Sequence, residues 1–134
     1  MSTNIEHFDL SGRKAMVVGV ENPAGAAIAR AYAEAGADVA LCVLQADESV
    51  MTAKRIQKEI EAQGAQSGVY VMDVTLGRNV QVTTRQVAKE LGGLDIVASC
   101  PDRFLGKPIG KTTDAELLQV MTHNFNSQFY VART

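Results

Sequence analysis

The sequence predicts a three-layer α/β domain, in which a parallel sheet carries helices on both faces. Three observations lead there. Short apolar runs alternate with longer amphipathic segments from residue 14 onward, the order of a βαβα chain with right-handed crossovers. The run at residues 38–44 is apolar almost throughout, as a strand covered on both faces must be. A glycine turn joins the first apolar run directly to an alanine-rich segment that stops at Gly36.

Each element has its own signal. Residues 15–18 form the first strand. Ala24, Ala27, Ile28, Ala31, Tyr32 and Ala35 recur at intervals of three and four and predict the first helix, with Gly36 at its C-terminal stop. Residues 38–44 are the second strand. Asp47 and Glu48 suit the start of a second helix, whose apolar stripe is Ala53, Ile56 and Ile60 and which ends at Gly64. Its Lys54, Arg55, Lys58, Glu59 and Glu61 read as a solvated face. Residues 69–74, VYVMDV, are the third strand. Residues 76–91 are a third helix, weakened by Gly77 and the Thr83-Thr84 pair and closed by Gly92 and Gly93. Residues 94–99, LDIVAS, are the fourth strand and 101–111 a loop. Thr113 and Glu116 have capping-box spacing, so a fourth helix runs from there toward Thr134. Phe8 and Leu10, in the polar lead-in, are expected to tuck against the first helix layer.

The glycine turn points to phosphate. A strand leading into a glycine turn at a helix N-terminus cradles a dinucleotide pyrophosphate, because backbone N–H groups and the positive helix end both favour the anion. The usual G-x-G-x-x-G is absent. Gly19 and Gly25 instead stand six residues apart with Pro23 between them. That spacing, and the phrase FDLSGRKA before the first strand, resemble the short-chain dehydrogenase/reductase family, whose turn reads T-G-x-x-x-G-x-G. On that pattern Gly19, Asn22, Ala24 and Gly25 are the expected cofactor contacts. Val18 replaces the threonine, and Pro23, which has no N–H, replaces the middle glycine. The plainer reading of the turn is a helix with proline in its first turn.

The resemblance assigns further residues. It implies a Rossmann-type sheet of strand order 3-2-1-4 and hydride transfer between a nicotinamide cofactor and a carbonyl or alcohol. After strand two, Val43 and Leu44 occupy the place of the ribose-binding acid, with Gln45 or Asp47 as substitutes on a shifted backbone. Glu21 would repel a 2′-phosphate, which favours NAD over NADP, with no cofactor as the other possibility. Asp73 and Val74 match the pair that touches adenine; the alternative is an aspartate bonding its own turn. The family's N-N-A-G becomes Ser99-Cys100-Pro101-Asp102, in which Ser99 keeps a short hydrogen-bonding side chain. HNFNSQFYVAR resembles the segment around the catalytic asparagine, which falls on Asn124; there it holds a water linked to the catalytic lysine. In line with Leu117, Met121 and Gln128, Asn124 would point at the sheet, or be satisfied by helix packing. His123 is expected to be a solvated or packing histidine and His7 to be exposed.

The family continues with a fifth strand, a serine and a Y-x-x-x-K pair. None of Tyr32, Tyr70 or Tyr130 opens such a pair, so these residues correspond to the amino-terminal half of a family member and predict no turnover by themselves. The rival reading is a non-catalytic nucleotide-binding or self-associating domain. In the 3-2-1-4 order strand four is an edge, which invites association. The fourth helix would show Phe125, Phe129 and Val131. A homo-oligomer through that helix or that edge is expected, since family members commonly pair through this helix.

Composition fits one domain: 134 residues, 46 % hydrophobic and 21 % charged. A formal charge of −2 gives no electrostatic ground for nucleic acid or an anionic membrane. The polar amino terminus lacks the apolar core of a signal peptide. A cytoplasmic location is expected, with Cys42 and Cys100 as buried free thiols and no metal site.

Overall fold

The computed structural model describes residues 8–134; His7 lies outside them. The elements run β1 (Lys14–Val18), α1 (Pro23–Glu34), β2 (Asp38–Val43), α2 (Ser49–Ala62), β3 (Ser67–Val71), α3 (Gly77–Leu91), β4 (Ile96–Ser99), α4 (Asp114–Met121) and α5 (Ser127–Arg133). The four strands are parallel and lie in the order β3-β2-β1-β4.

Side-chain alternation along the two central strands divides the core in two. Ala15, Val17, Val39, Leu41 and Val43 face α1 and α2, meeting Ala29, Ala33, Ala53, Ile56 and Ile60. Met16, Val18, Ala40 and Cys42 face the other way, onto Val80, Val87, Leu91 and Val131 of α3 and α5. Register is pinned at the amino ends, where Lys14 sits opposite Asp38 and pairs with it. Burial raises the Asp38 carboxyl, but Lys14 and the Gln66 amide more than offset it, so it titrates below the ordinary range.

Several elements differ from expectation for local reasons. In α1 the core face is Gly25, Ala29 and Ala33, one step round from the alanine stripe. Alanine lines most sides of this helix, so its pattern does not fix rotation; close contact at Gly25 does. β3 begins two residues early and ends at Val71, because its pairing with β2 runs from Val39–Ser67 to Val43–Val71. Ser67 and Gly68 carry no strand signal, and Ser67 is drawn in by donating Oγ–H to the Val39 carbonyl at 2.8 Å. Met72 and Val74 stay buried beyond the strand's end. The α2 stripe is buried as predicted, with Asp47 accepting the Ser49 N–H at 2.8 Å. Leu10 packs against the first core and donates its N–H to Ala35, whereas Phe8 is 70 % exposed.

The fourth helix is broken. The capping box forms at Thr113 and Glu116, but a π-helical turn at Thr122–Asn126 separates α4 from α5. The inward row is His123, Ser127 and Val131, with the Ser127 hydroxyl donating to the His123 carbonyl at 2.6 Å. Ser127 and Val131 are buried. Leu117 and Met121, expected to face the sheet, are 56 % and 44 % exposed, and Gln128 is exposed too. Phe125 and Phe129 are exposed as expected; Val131 belongs to the second core instead.

Candidate functional site

The strands' carboxyl ends bring four loops together, with the reversal in strand order between β1 and β4, where ligands of open α/β sheets bind. The turn after β1 is tightly fixed. Gly19 and Val20 donate N–H to the Cys42 carbonyl at 2.8 and 3.2 Å. Gly19 has φ +87°, and a Cβ there would lie 2.7 Å from the Cys100 carbonyl oxygen. At Gly25 a Cβ would lie 2.3 Å from the Gly19 oxygen. The two glycines therefore let β1, β4 and the start of α1 converge on one point.

Asn22 caps α1: its side-chain oxygen accepts the Ala24 N–H at 3.0 Å and its amide donates to the Cys100 carbonyl at 3.3 Å. Pro23 follows at the first helical position, so of the first-turn amides one is missing and Ala24's is engaged, leaving Gly25. Thus Gly19, Asn22, Ala24 and Gly25 form one turn, facing the exit of β4. Pro101, in that exit, is buried.

The other assigned residues are placed as follows. Asp73 accepts the Thr75 N–H and hydroxyl at 3.0 and 2.6 Å, locking its own turn, while its N–H donates to the Asn79 side chain at 2.8 Å. The Val74 side chain is buried in the second core, leaving backbone to face a ligand. Ser99 does not meet the glycine turn through its side chain. Its hydroxyl is buried without a partner and lines a cleft of about 480 Å³ between β4 and α3/α5, with Thr84, Val97 and Gln128. Asn124 is held by the loop after β4. Its amide clamps the backbone of Arg103, accepting the N–H at 2.8 Å and donating to the carbonyl at 2.7 Å. The π turn presents it there, binding the loop after β4 to the helix.

Sequence reasoning missed one contact. Glu21 reaches across the crevice, its Oε2 accepting the Leu44 N–H at 2.8 Å while Oε1 is buried with no donor. His123 is half-buried beside the same loops. Burial holds its imidazole below the ordinary value, Arg103 adds to this, and Asp73, Glu21 and Asp102 oppose it. Burial also pushes the Cys42 thiol up to about 12, with Glu21 contributing, so this thiol is inert; Cys100 is half-buried. The Glu21–Leu44 contact has no sequence signal, since it joins two separate loops. Among the described residues there is no cluster that could hold a metal ion, and no helix is long and apolar enough to cross a membrane.

Residues 19–134 match the family model described as enoyl-(acyl carrier protein) reductase. The chain belongs to the short-chain dehydrogenase/reductase family. Hydroxynaphthalene reductase arp2 of Aspergillus fumigatus is 32 % identical over 99 % of the chain. A dehydrogenase/reductase from Sinorhizobium meliloti superposes with a TM-score of 0.87 at 32 % identity, over 93 % of this chain and 48 % of its own. A short-chain dehydrogenase from Burkholderia cenocepacia, in complex with NADP, superposes with a TM-score of 0.86 at 27 % identity, over 92 % of this chain and 49 % of its own. The chain spans 48 % of the Aspergillus relative, so the family match covers the half that holds the glycine turn.

Proposed function

We propose that this chain is the dinucleotide-binding half of an NAD-dependent oxidoreductase acting on a carbonyl or alcohol. The observation that carries the reading is the α1 N-terminus, set at the strand-order reversal with Gly19 and Gly25 beneath it. A pyrophosphate there meets the positive helix end and the remaining first-turn amide. The site also fits the group on a second count, because the buried free oxygen of Glu21 lacks a donor that ribose hydroxyls supply. When bound, the nicotinamide supplies the hydride.

The chain's own residues hold and orient. Asn22 keeps the turn against β4, Asp73 fixes the turn that would lie against an adenine, and Asn124 fixes the loop after β4. No Y-x-x-x-K is present in these residues, and the role proposed for them is to hold the dinucleotide. We place its action in the cytoplasm. Leu117, Leu118, Met121, Phe125 and Phe129 form an exposed apolar ridge along α4 and the segment after it, which supports pairing with a second copy.

The test is calorimetric titration with NAD+ and NADH, alongside mass by light scattering. Binding with Kd below about 1 mM, about −4 kcal/mol, is expected from a dimer. No binding by a folded chain would leave the rival reading, a scaffold that kept the fold and lost the ligand.

A further inference from the structure

In a dinucleotide crevice the acid that receives the ribose hydroxyls ordinarily stands at the end of strand two. Here that end is Val43 and Leu44, whose side chains have no polar atom. We propose that Glu21 has taken over this task from the turn after β1, and that it selects a dinucleotide with a free ribose 2′-hydroxyl over its 2′-phosphorylated form. The assignment rests on the dinucleotide reading above.

Three features carry it. The Leu44 N–H holds Glu21 Oε2 at 2.8 Å, which fixes the carboxylate over the exit of β2, where a ribose would lie. Its second oxygen, Oε1, is buried and has no donor in the protein. An unpaired buried acceptor is costly, and the partner it lacks is a hydrogen-bond donor, which a ribose hydroxyl is. A phosphate in the same place offers acceptors and negative charge, the two things this position cannot use.

The second feature is that the backbone donor at the exit is already spent. The Leu44 amide, which would otherwise greet a phosphate oxygen, is held by Glu21. The third is the absence of a compensating cation in sequence: neither residues 19–23, GVENP, nor residues 44–48, LQADE, contain lysine or arginine. The Burkholderia relative was solved with NADP; the arrangement around Glu21 points this chain to the opposite choice.

The experiment is titration of NAD+ and NADP+ into the chain and into Glu21→Gln and Glu21→Ala, read by calorimetry and by the shift in melting temperature. The native chain is expected to prefer NAD+ by about tenfold or more, the scale of one close like-charge contact. Glu21→Gln keeps an acceptor for the Leu44 amide and removes the charge. It is expected to bring the ratio to within about threefold, mainly by restoring NADP+ binding. Glu21→Ala should weaken NAD+ itself. If both dinucleotides bind and Glu21→Gln leaves their ratio unchanged, the assignment is wrong while the cofactor reading stands. If neither binds a chain that melts cooperatively, the cofactor reading fails and takes this assignment with it.

Discussion

Replacing Gly19 by alanine isolates the contact that closes the site. Two costs are expected. The residue sits at φ +87°, where a Cβ costs about 1–2 kcal/mol. The new methyl would also lie 2.7 Å from the Cys100 carbonyl oxygen, a backbone atom that cannot swing aside, and overpacking of this kind costs about 1–3 kcal/mol. The sum, about 2–5 kcal/mol, is a large part of the 5–15 kcal/mol typical of a domain. Two companion variants separate the terms. Gly64 has φ +91° with nothing within 4 Å of an added Cβ, so Gly64→Ala carries the backbone cost alone. Gly25 has no positive φ, but its Cβ would lie 2.3 Å from the Gly19 oxygen, so Gly25→Ala carries crowding alone. The loss of unfolded-state entropy from alanine, about 0.4–1 kcal/mol, is common to all three and cancels when they are compared with one another. In urea, with a slope of about 2 kcal/mol/M, Gly19→Ala should therefore lower the midpoint by about 0.5–1.5 M more than Gly64→Ala does. Equal midpoints for Gly19→Ala and Gly64→Ala would refute the claim that β1 and β4 converge on this glycine.

Two further outcomes are expected. Asn124→Ala removes both bonds to the Arg103 backbone and should cost about 1–3 kcal/mol, with hydrogen exchange at residues 102–104 accelerating more than in the strands; unchanged exchange there would refute the clamp. The Glu116 carboxyl is held down to about 2 by Lys107, with Thr113 adding to it. A carboxyl depressed in the fold stabilises above its unfolded value, so the clasp at the start of α4 should hold near pH 5 and loosen as pH falls from 4.5 toward 2. Amide shifts at Thr113 and Glu116 followed by NMR should move in that window, and Glu116→Gln should abolish the transition.

The parallel sheet, the two-faced burial of β2, the α2 stripe and the capping box at Thr113 were all readable from the chain, from spacing within one segment or from connection rules that hold for any alternating chain; the order of the strands came with the family resemblance. Periodicity failed where residues were too alike or too small to carry it. The alanines of α1 left its rotation open until Gly25 met Gly19, and Ser67 and Gly68 became strand because β2 had carbonyls and amides to pair there. The fourth helix looked continuous because nothing in HNFNSQ breaks a helix by propensity; the π turn forms where Asn124 finds the Arg103 backbone.

The site divides in the same way. The glycine turn was legible because a backbone that must pass close to another strand admits only glycine, and glycine is visible in sequence. The reach of Glu21 to Leu44 and the outward exposure of Leu117 and Met121 were not. Sequence by itself determined which segments form layers, since apolar spacing and chain connectivity are local or topological. Tertiary structure alone decided which polar side chains meet at the crest, because those partners come from loops as much as 78 residues apart and their pairing depends on where each strand happens to end.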